Sequence, residues 1–174
     1  MKGIMFNEKY GLESAILNGT KTRTWRADKA PRYEVGEVVA IKQCYKDVCD
    51  YFCERNNRKY IDYIALYSHQ KGWRNKMFVK NELMPHQIRI TSVKKCRLQD
   101  LTDEECIKEG VDSYKQGNET YYYCKGICYK RRQGLFRTFK TAKEVFFHLI
   151  SKLNGYGYWT INPEGYAYEF ELVK

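Results

Sequence analysis

Apolar and polar residues alternate along this chain at two periods, and the periods divide it into short strands and short helices. The run Gly3 to Phe6 reads as an opening strand, and Asn7 stands where a helix N-cap belongs. Leu12, Ala15 and Ile16 repeat at helical spacing, and Gly19 suits the left-handed position after a last turn. The Thr-rich run from Thr20 to Arg26 favours a strand. Val35 and Gly36 read as a turn, followed by a buried strand at Val38, Val39, Ala40 and Ile41. Residues 45–80 hold no sustained period. Tyr60 to Tyr67 is a candidate strand within them, and the whole is expected to be an elaborated hairpin with a mobile tip. Ile88, Ile90 and Ser92 alternate with Arg89, Thr91 and Val93, as a strand does.

Thr102, Asp103, Glu104 and Glu105 form a capping box that starts a helix running to about Glu109 and stopping at Gly110. A second box, Thr141 with Glu144, opens a helix whose apolar face is Val145, Phe146, Leu149, Ile150 and Leu153. The last strand runs from Tyr166 to Val173, and no internal repeat is evident. Elements in this order predict an α+β domain with a closed or nearly closed sheet flanked by helices.

A length of 174 residues with 43% apolar content supports one core, so a single domain over 1–174 is expected. No apolar stretch reaches the roughly 18 residues that cross a bilayer, and the opening MKGIMFNEKYG lacks the features of a signal peptide. A cytoplasmic protein is the expectation, with its seven cysteines as reduced thiols.

The net charge of +10 is unevenly distributed. Residues 49–97 and 125–154 each carry +7 and flank an acidic stretch, 98–124, at −5. Excess positive charge favours polyanions, which makes RNA or a nucleotide the leading partner class, although it also serves solubility alone. Tyrosines interleaved with cations, as in Tyr121, Tyr122, Tyr123, Lys125, Tyr129, Lys130, Arg131 and Arg132, can stack bases; equally, they fit a half-buried sheet.

Candidate chemistry lies at three places. Strand alternation puts Thr22, Thr24 and Arg26 on one face and Arg23 with Trp25 on the other, with Lys21 at the turn; the alternative is an ordinary solvated strand. Glu109 ends a helix, where its carboxylate opposes the dipole at a cost of about 0.3 to 1 kcal/mol, and a cationic pocket containing Lys21 and Arg26 would offset that. Cys49 with Cys53 and Cys124 with Cys128 offer four thiolates for zinc, but the spacing within each pair is wider than the usual two-residue knuckle, and ordinary thiols are the simpler reading. His69, His86 and His148 show no ligand spacing, and no phosphate loop or dinucleotide fingerprint occurs. No metal, cofactor, membrane or obligatory protein partner is expected.

The run Ala15 to Arg26, with Gly19, Lys21, Thr24 and Arg26, resembles the signature of the ASCH family. Val35 to Val39 resembles the family's following turn and strand, and LQDLTDEECIKEGV, residues 98–111, resembles its helix ending in Glu-Gly. The closing segment from Lys143 to Phe170, with Trp159, Asn162 and Pro163, is similar to longer members found in phages and prophages. The resemblance implies a PUA-like β-barrel with insertions around 45–80 and 112–140, and a cleft whose residues here would be Lys21, Thr24, Arg26 and Glu109.

Two functions follow from that expectation. In the first, Lys21, Arg23 and Arg26 hold phosphates of an RNA or nucleotide while Trp25 or a nearby tyrosine stacks a base. In the second, implied by resemblance to compact ASCH proteins that hydrolyse N4-acetylcytidine, Lys21 is the base, Thr24 the nucleophile and Glu109 the handler of the leaving amine's proton, with Arg26 steadying the oxyanion.

Overall fold

The computed structural model describes residues 1–127 and 138–173. Among the described residues seven strands and six α-helices follow in order: β1 (Gly3–Ile4), α1 (Leu12–Leu17), β2 (Arg23–Arg26), β3 (Val38–Ile41), α2 (Tyr45–Glu54), α3 (Arg58–Ala65), β4 (Gln87–Arg97), α4 (Asp103–Lys108), β5 (Asp112–Gln116), β6 (Glu119–Tyr123), α5 (Ala142–Asn154), α6 (Gly157–Ile161) and β7 (Glu164–Leu172). The fold is α+β, with one mixed five-stranded sheet in the order β1-β3-β4-β7-β2 and a separate hairpin of β5 and β6. Where a closed sheet was expected, the strand order runs between two ends, β1 and β2. No helix among the described residues is long and apolar enough to cross a membrane.

The chain forms two compact units, each assembled from separated segments. The first comprises residues 1–6, 38–89 and 172–174. Within it β1 pairs in parallel with β3, Gly3 opposite Ala40, and β3 pairs antiparallel with the start of β4, Val38 opposite Arg89. Residues 45–80, expected as a hairpin with a strand at Tyr60–Tyr67, are instead helical, with α2 and α3 followed by two 3-10 turns, Lys71–Trp73 and Lys76–Phe78. The reason lies in spacing. Tyr45, Val48, Cys49 and Phe52 fall at i, i+3, i+4 and i+7, and Tyr60, Ile64 and Tyr67 at i, i+4 and i+7, so each set makes one helical face. These faces meet in a core of Ala40, Tyr45, Val48, Ile64, Val79, Leu83 and Met84, against which Cys49, Phe52, Tyr60, Tyr67 and Trp73 pack. Strand propensity in the tyrosines lost to that burial. The Asn57 side chain caps α3 by accepting from the Tyr60 N–H.

The second unit comprises residues 7–37 and 90–171. Asn7 does cap, although the helix it opens is a single 3-10 turn, Glu8–Tyr10, ahead of α1. Here β2 lies antiparallel to β7, with Arg23 opposite Glu169, Thr24 opposite Tyr168 and Trp25 opposite Ala167. Both capping boxes form as the sequence predicts: Thr102 with Glu105 opens α4, and Thr141 with Glu144 opens α5. Val145, Phe146, Leu149 and Ile150 of α5 are buried, while Leu153, expected on the same face, is exposed in the last turn. Replacing Thr141 by alanine is expected to lower stability by about 1 kcal/mol, because the Glu144 N–H loses its acceptor; urea unfolding measures it.

Candidate functional site

The candidate site is built where the segment after α1 meets the end of α4, all within the second unit. Helix α4 ends at Lys108, and its last carbonyls would be left without donors. The segment leading into β2 supplies them. The Thr22 N–H donates to the Lys108 carbonyl at 3.0 Å, and the Lys21 ammonium donates to the Glu109 carbonyl at 2.6 Å. A cation at a helix C-terminus is favoured by the dipole as well as by the hydrogen bond. Gly110, at φ 99°, takes the chain away from the helix through a conformation that a side chain resists.

The same ammonium meets the Glu109 side chain. Lys21 Nζ donates to Glu109 Oε2 at 3.0 Å and to the Arg23 carbonyl at 2.7 Å, so three acceptors surround it. Lys21 is 2% exposed and Glu109 4%. The expected offset of the helix-end carboxylate by a cation is thus realised as a buried ion pair, and the solvated-strand alternative does not hold. Burial pulls the Lys21 pKa below its ordinary value, against the opposing pull of the Glu109 charge and hydrogen bond; the Arg26 charge pushes it further down. Glu109 Oε1, the other carboxylate oxygen, is buried with no hydrogen-bond partner among the described residues. A buried carboxylate oxygen is costly to leave unsatisfied, so this atom marks a place where a donor fits.

Thr24 and Arg26 follow on β2. Thr24 is buried, and its β7 neighbour is Tyr168. Arg26 is half-buried; burial lowers its pKa while the charges of Tyr33, Glu109 and Asp28 raise it, and a guanidinium stays protonated throughout the physiological range. Beside it, the Tyr168 hydroxyl donates to Asp28 Oδ2 at 3.0 Å and accepts the Arg32 N–H at 2.9 Å, and burial pushes this phenol up to about 12. Lys21, Arg26 and Glu109 therefore share one electrostatic cluster, with Thr24 on the strand between the two cations.

Two predicted ligand contacts are placed otherwise. Arg23 turns inward, buried, with Nη1 on Glu105 Oε1 and 3.8 Å from Glu169 Oε1. Its charge is answered from inside the protein, which replaces the expected grip on phosphate. Trp25, 7% exposed, donates from Nε1 to the Cys96 carbonyl at 3.3 Å, so it packs in the unit's interior and presents no open face to a base. Alternation placed both on one face correctly; that face is buried, as is Thr24 on the other. Glu105 and Glu169 went unread in the sequence. Glu105 was assigned only to its capping box, yet its i, i+4 spacing to Glu109 puts both carboxylates on one side of α4 and was the available signal.

The cysteines do not form a cluster that the described residues complete. Cys49 and Cys53 lie on α2, and buried Cys124 donates its thiol to the Tyr10 carbonyl at 3.4 Å. Cys128 lies outside the described residues, as do Tyr129, Lys130, Arg131 and Arg132. Among the described residues no group of three or more His, Cys, Asp and Glu side chains is placed to hold a metal. His148 packs its ring 4.9 Å from that of Phe139, consistent with a helix-packing role. No family model matches this chain, and no curated protein or solved structure matches it.

Proposed function

We propose that this chain is an ASCH-type domain of the PUA-like barrel class whose Lys21, Thr24, Arg26 and Glu109 receive a nucleoside or nucleotide, free or within RNA. The observation that carries the reading is Glu109 Oε1, an acceptor buried beside a lysine and without a donor of its own. The exocyclic amino group of cytosine or adenine is a donor of the kind such a carboxylate accepts. Arg26, next along the strand, answers a phosphate or a carbonyl oxygen. Because Lys21 already serves Glu109, recognition by this cluster rests on the base more than on phosphate charge.

A second reading, hydrolysis of an N4-acylated cytidine, is favoured by the lowered pKa of Lys21. In a buried pair the ammonium proton can pass to Glu109 Oε2, 3.0 Å away, leaving a neutral amine and a carboxylic acid. The amine takes the Thr24 hydroxyl proton as that oxygen attacks the acyl carbonyl. The tetrahedral intermediate, its oxyanion facing Arg26, collapses by breaking the C–N bond, and Glu109 delivers its proton to the leaving nitrogen. Water, giving a proton to Glu109, then attacks the ester carbonyl; the bond to Thr24 Oγ breaks, that oxygen recovers its proton from the Lys21 ammonium, and the carboxylic acid leaves, with the amine and the protonated Glu109 restored. All atoms and protons are accounted for without a cofactor.

Chromatography of N4-acetylcytidine incubated with the wild type, Glu109→Gln and Thr24→Val tests the second reading. Cytidine and acetate from the wild type, reduced at least about a hundredfold in both variants, is the expected result if the cluster hydrolyses. Absence of turnover at high enzyme concentration rejects hydrolysis. Binding is tested separately by thermal shift with cytidine, adenosine and their monophosphates. A rise in melting temperature with the wild type that Glu109→Gln abolishes supports the site, and no response to any of them rejects it.

A further inference from the structure

In the first unit, the stretch from Leu66 to Asn81 contains no carboxylate and carries Lys71, Arg74, Lys76 and Lys80. Two 3-10 turns, Lys71–Trp73 and Lys76–Phe78, pack on one another within it. Its backbone is held at several points. Trp73 packs on the unit's core and Val79 is buried. The Lys80 N–H donates to the Tyr45 hydroxyl at 2.8 Å, and the Met77 N–H donates to the Asn75 side chain at 3.0 Å. Lys42 Nζ reaches the Met77 carbonyl at 3.1 Å, and Lys76 Nζ bonds the Phe6 carbonyl.

Despite these anchors, the side chains of Met77 and Phe78 face solvent, 63% and 55% exposed. A backbone pinned on both sides that holds two large apolar groups in water marks a surface awaiting a partner. Cations sit beside the rings. Lys71 Nζ lies 5.8 Å from the Phe78 ring centre, and Lys80 Nζ lies 5.3 Å from that of Tyr67. Arg74 and Lys71 are themselves exposed. A ring paired with a cation, twice over, is the arrangement in which a base stacks while its phosphate is neutralised.

We propose that the Lys71–Lys80 face is a docking surface for single-stranded nucleic acid, with Phe78 stacking a base and Lys71, Arg74 and Lys80 binding the backbone. Charge complementarity selects a polyanion, and the exposed ring selects one with open base faces. The surface is independent of the Glu109 site and does not require that site to bind anything.

The experiment is fluorescence anisotropy of a labelled oligouridylate of about twelve nucleotides over a range of salt concentration, using the full chain. Lys71→Glu combined with Lys80→Glu is expected to weaken binding and to flatten the dependence of log affinity on log salt by about two. Phe78→Ala is expected to weaken the single strand at least about fivefold and to leave a duplex of equal length unchanged. All three side chains are exposed or at the rim, so circular dichroism melting should be unaltered in these variants. Binding to the oligonucleotide that both variants retain in full overturns the proposal. So does failure of the wild type to bind it while phosphatidylserine vesicles capture the protein, which would make the face a lipid anchor. A loss caused by Glu109→Gln alone also overturns it, since the binding would then belong to the other site.

Discussion

Replacing Lys21 by methionine is expected to cost about 3 to 5 kcal/mol of folding stability, and adding Glu109→Leu to the same chain is expected to recover much of that loss. The single change leaves the Glu109 carboxylate buried without its cation and strips a donor from the carbonyls of Arg23 and Glu109. The double change removes both charges and leaves only those two carbonyls to be satisfied. Urea unfolding of the wild type, both single variants and the double variant gives the coupling directly. If the double variant loses the sum of the two single losses, Lys21 and Glu109 do not act as a pair and the site loses its physical basis. The pair also has a pH signature. Lys21 binds its proton less tightly folded than unfolded. Above the lowered folded pKa the unfolded chain therefore holds more protons, and the stability contributed by Lys21 rises with pH until it levels off near the unfolded value of about 10.4. The double variant should lack that rise.

Gly165→Ala is expected to destabilise the second unit by about 3 kcal/mol or more, and to disturb Arg26 in doing so. A methyl group built on Gly165 falls 2.7 Å from the Trp25 ring and closer still to the Arg26 carbonyl. The first neighbour is a buried indole held by its bond to Cys96, and the second is strand backbone, so neither yields cheaply. Overpacking of this kind costs about 1 to 3 kcal/mol where side chains give way, and more where backbone must move. Thermal unfolding followed by tryptophan fluorescence reads both effects, because Trp25 reports its own displacement. A variant with unchanged stability and spectrum would mean that β2 and β7 are less closely apposed at Gly165 than described.

Much of the fold was legible in the chain because its signals are local. The capping boxes at Thr102 and Thr141 each close within four residues, and both form. The strand at Val38–Ile41 follows from a continuous apolar run that is buried on both faces, and those near Ile88 and Tyr166 follow from the alternation that a half-buried sheet requires. The segment 45–80 failed for an equally physical reason. Its helical faces include Tyr45, Tyr60 and Tyr67, whose propensity favours strands, while their spacing with Val48, Phe52 and Ile64 serves a helix only once another surface covers them. The β5–β6 hairpin was missed because it has almost no buried face, and so leaves little periodicity to read.

For the candidate site, the sequence by itself determined which residues stand together on each element: Lys21, Thr24 and Arg26 along one strand and its approach, and Glu109 at a helix end whose dipole calls for a cation. Only the tertiary structure decided that Lys21 answers Glu109 across a separation of 88 residues, while Arg23 turns inward to Glu105 and Glu169. Strand alternation assigns residues to faces but does not say which face is covered. That depends on the packing of α4 and β7 against β2, a balance of burial and ion pairing that no local stretch of the chain contains.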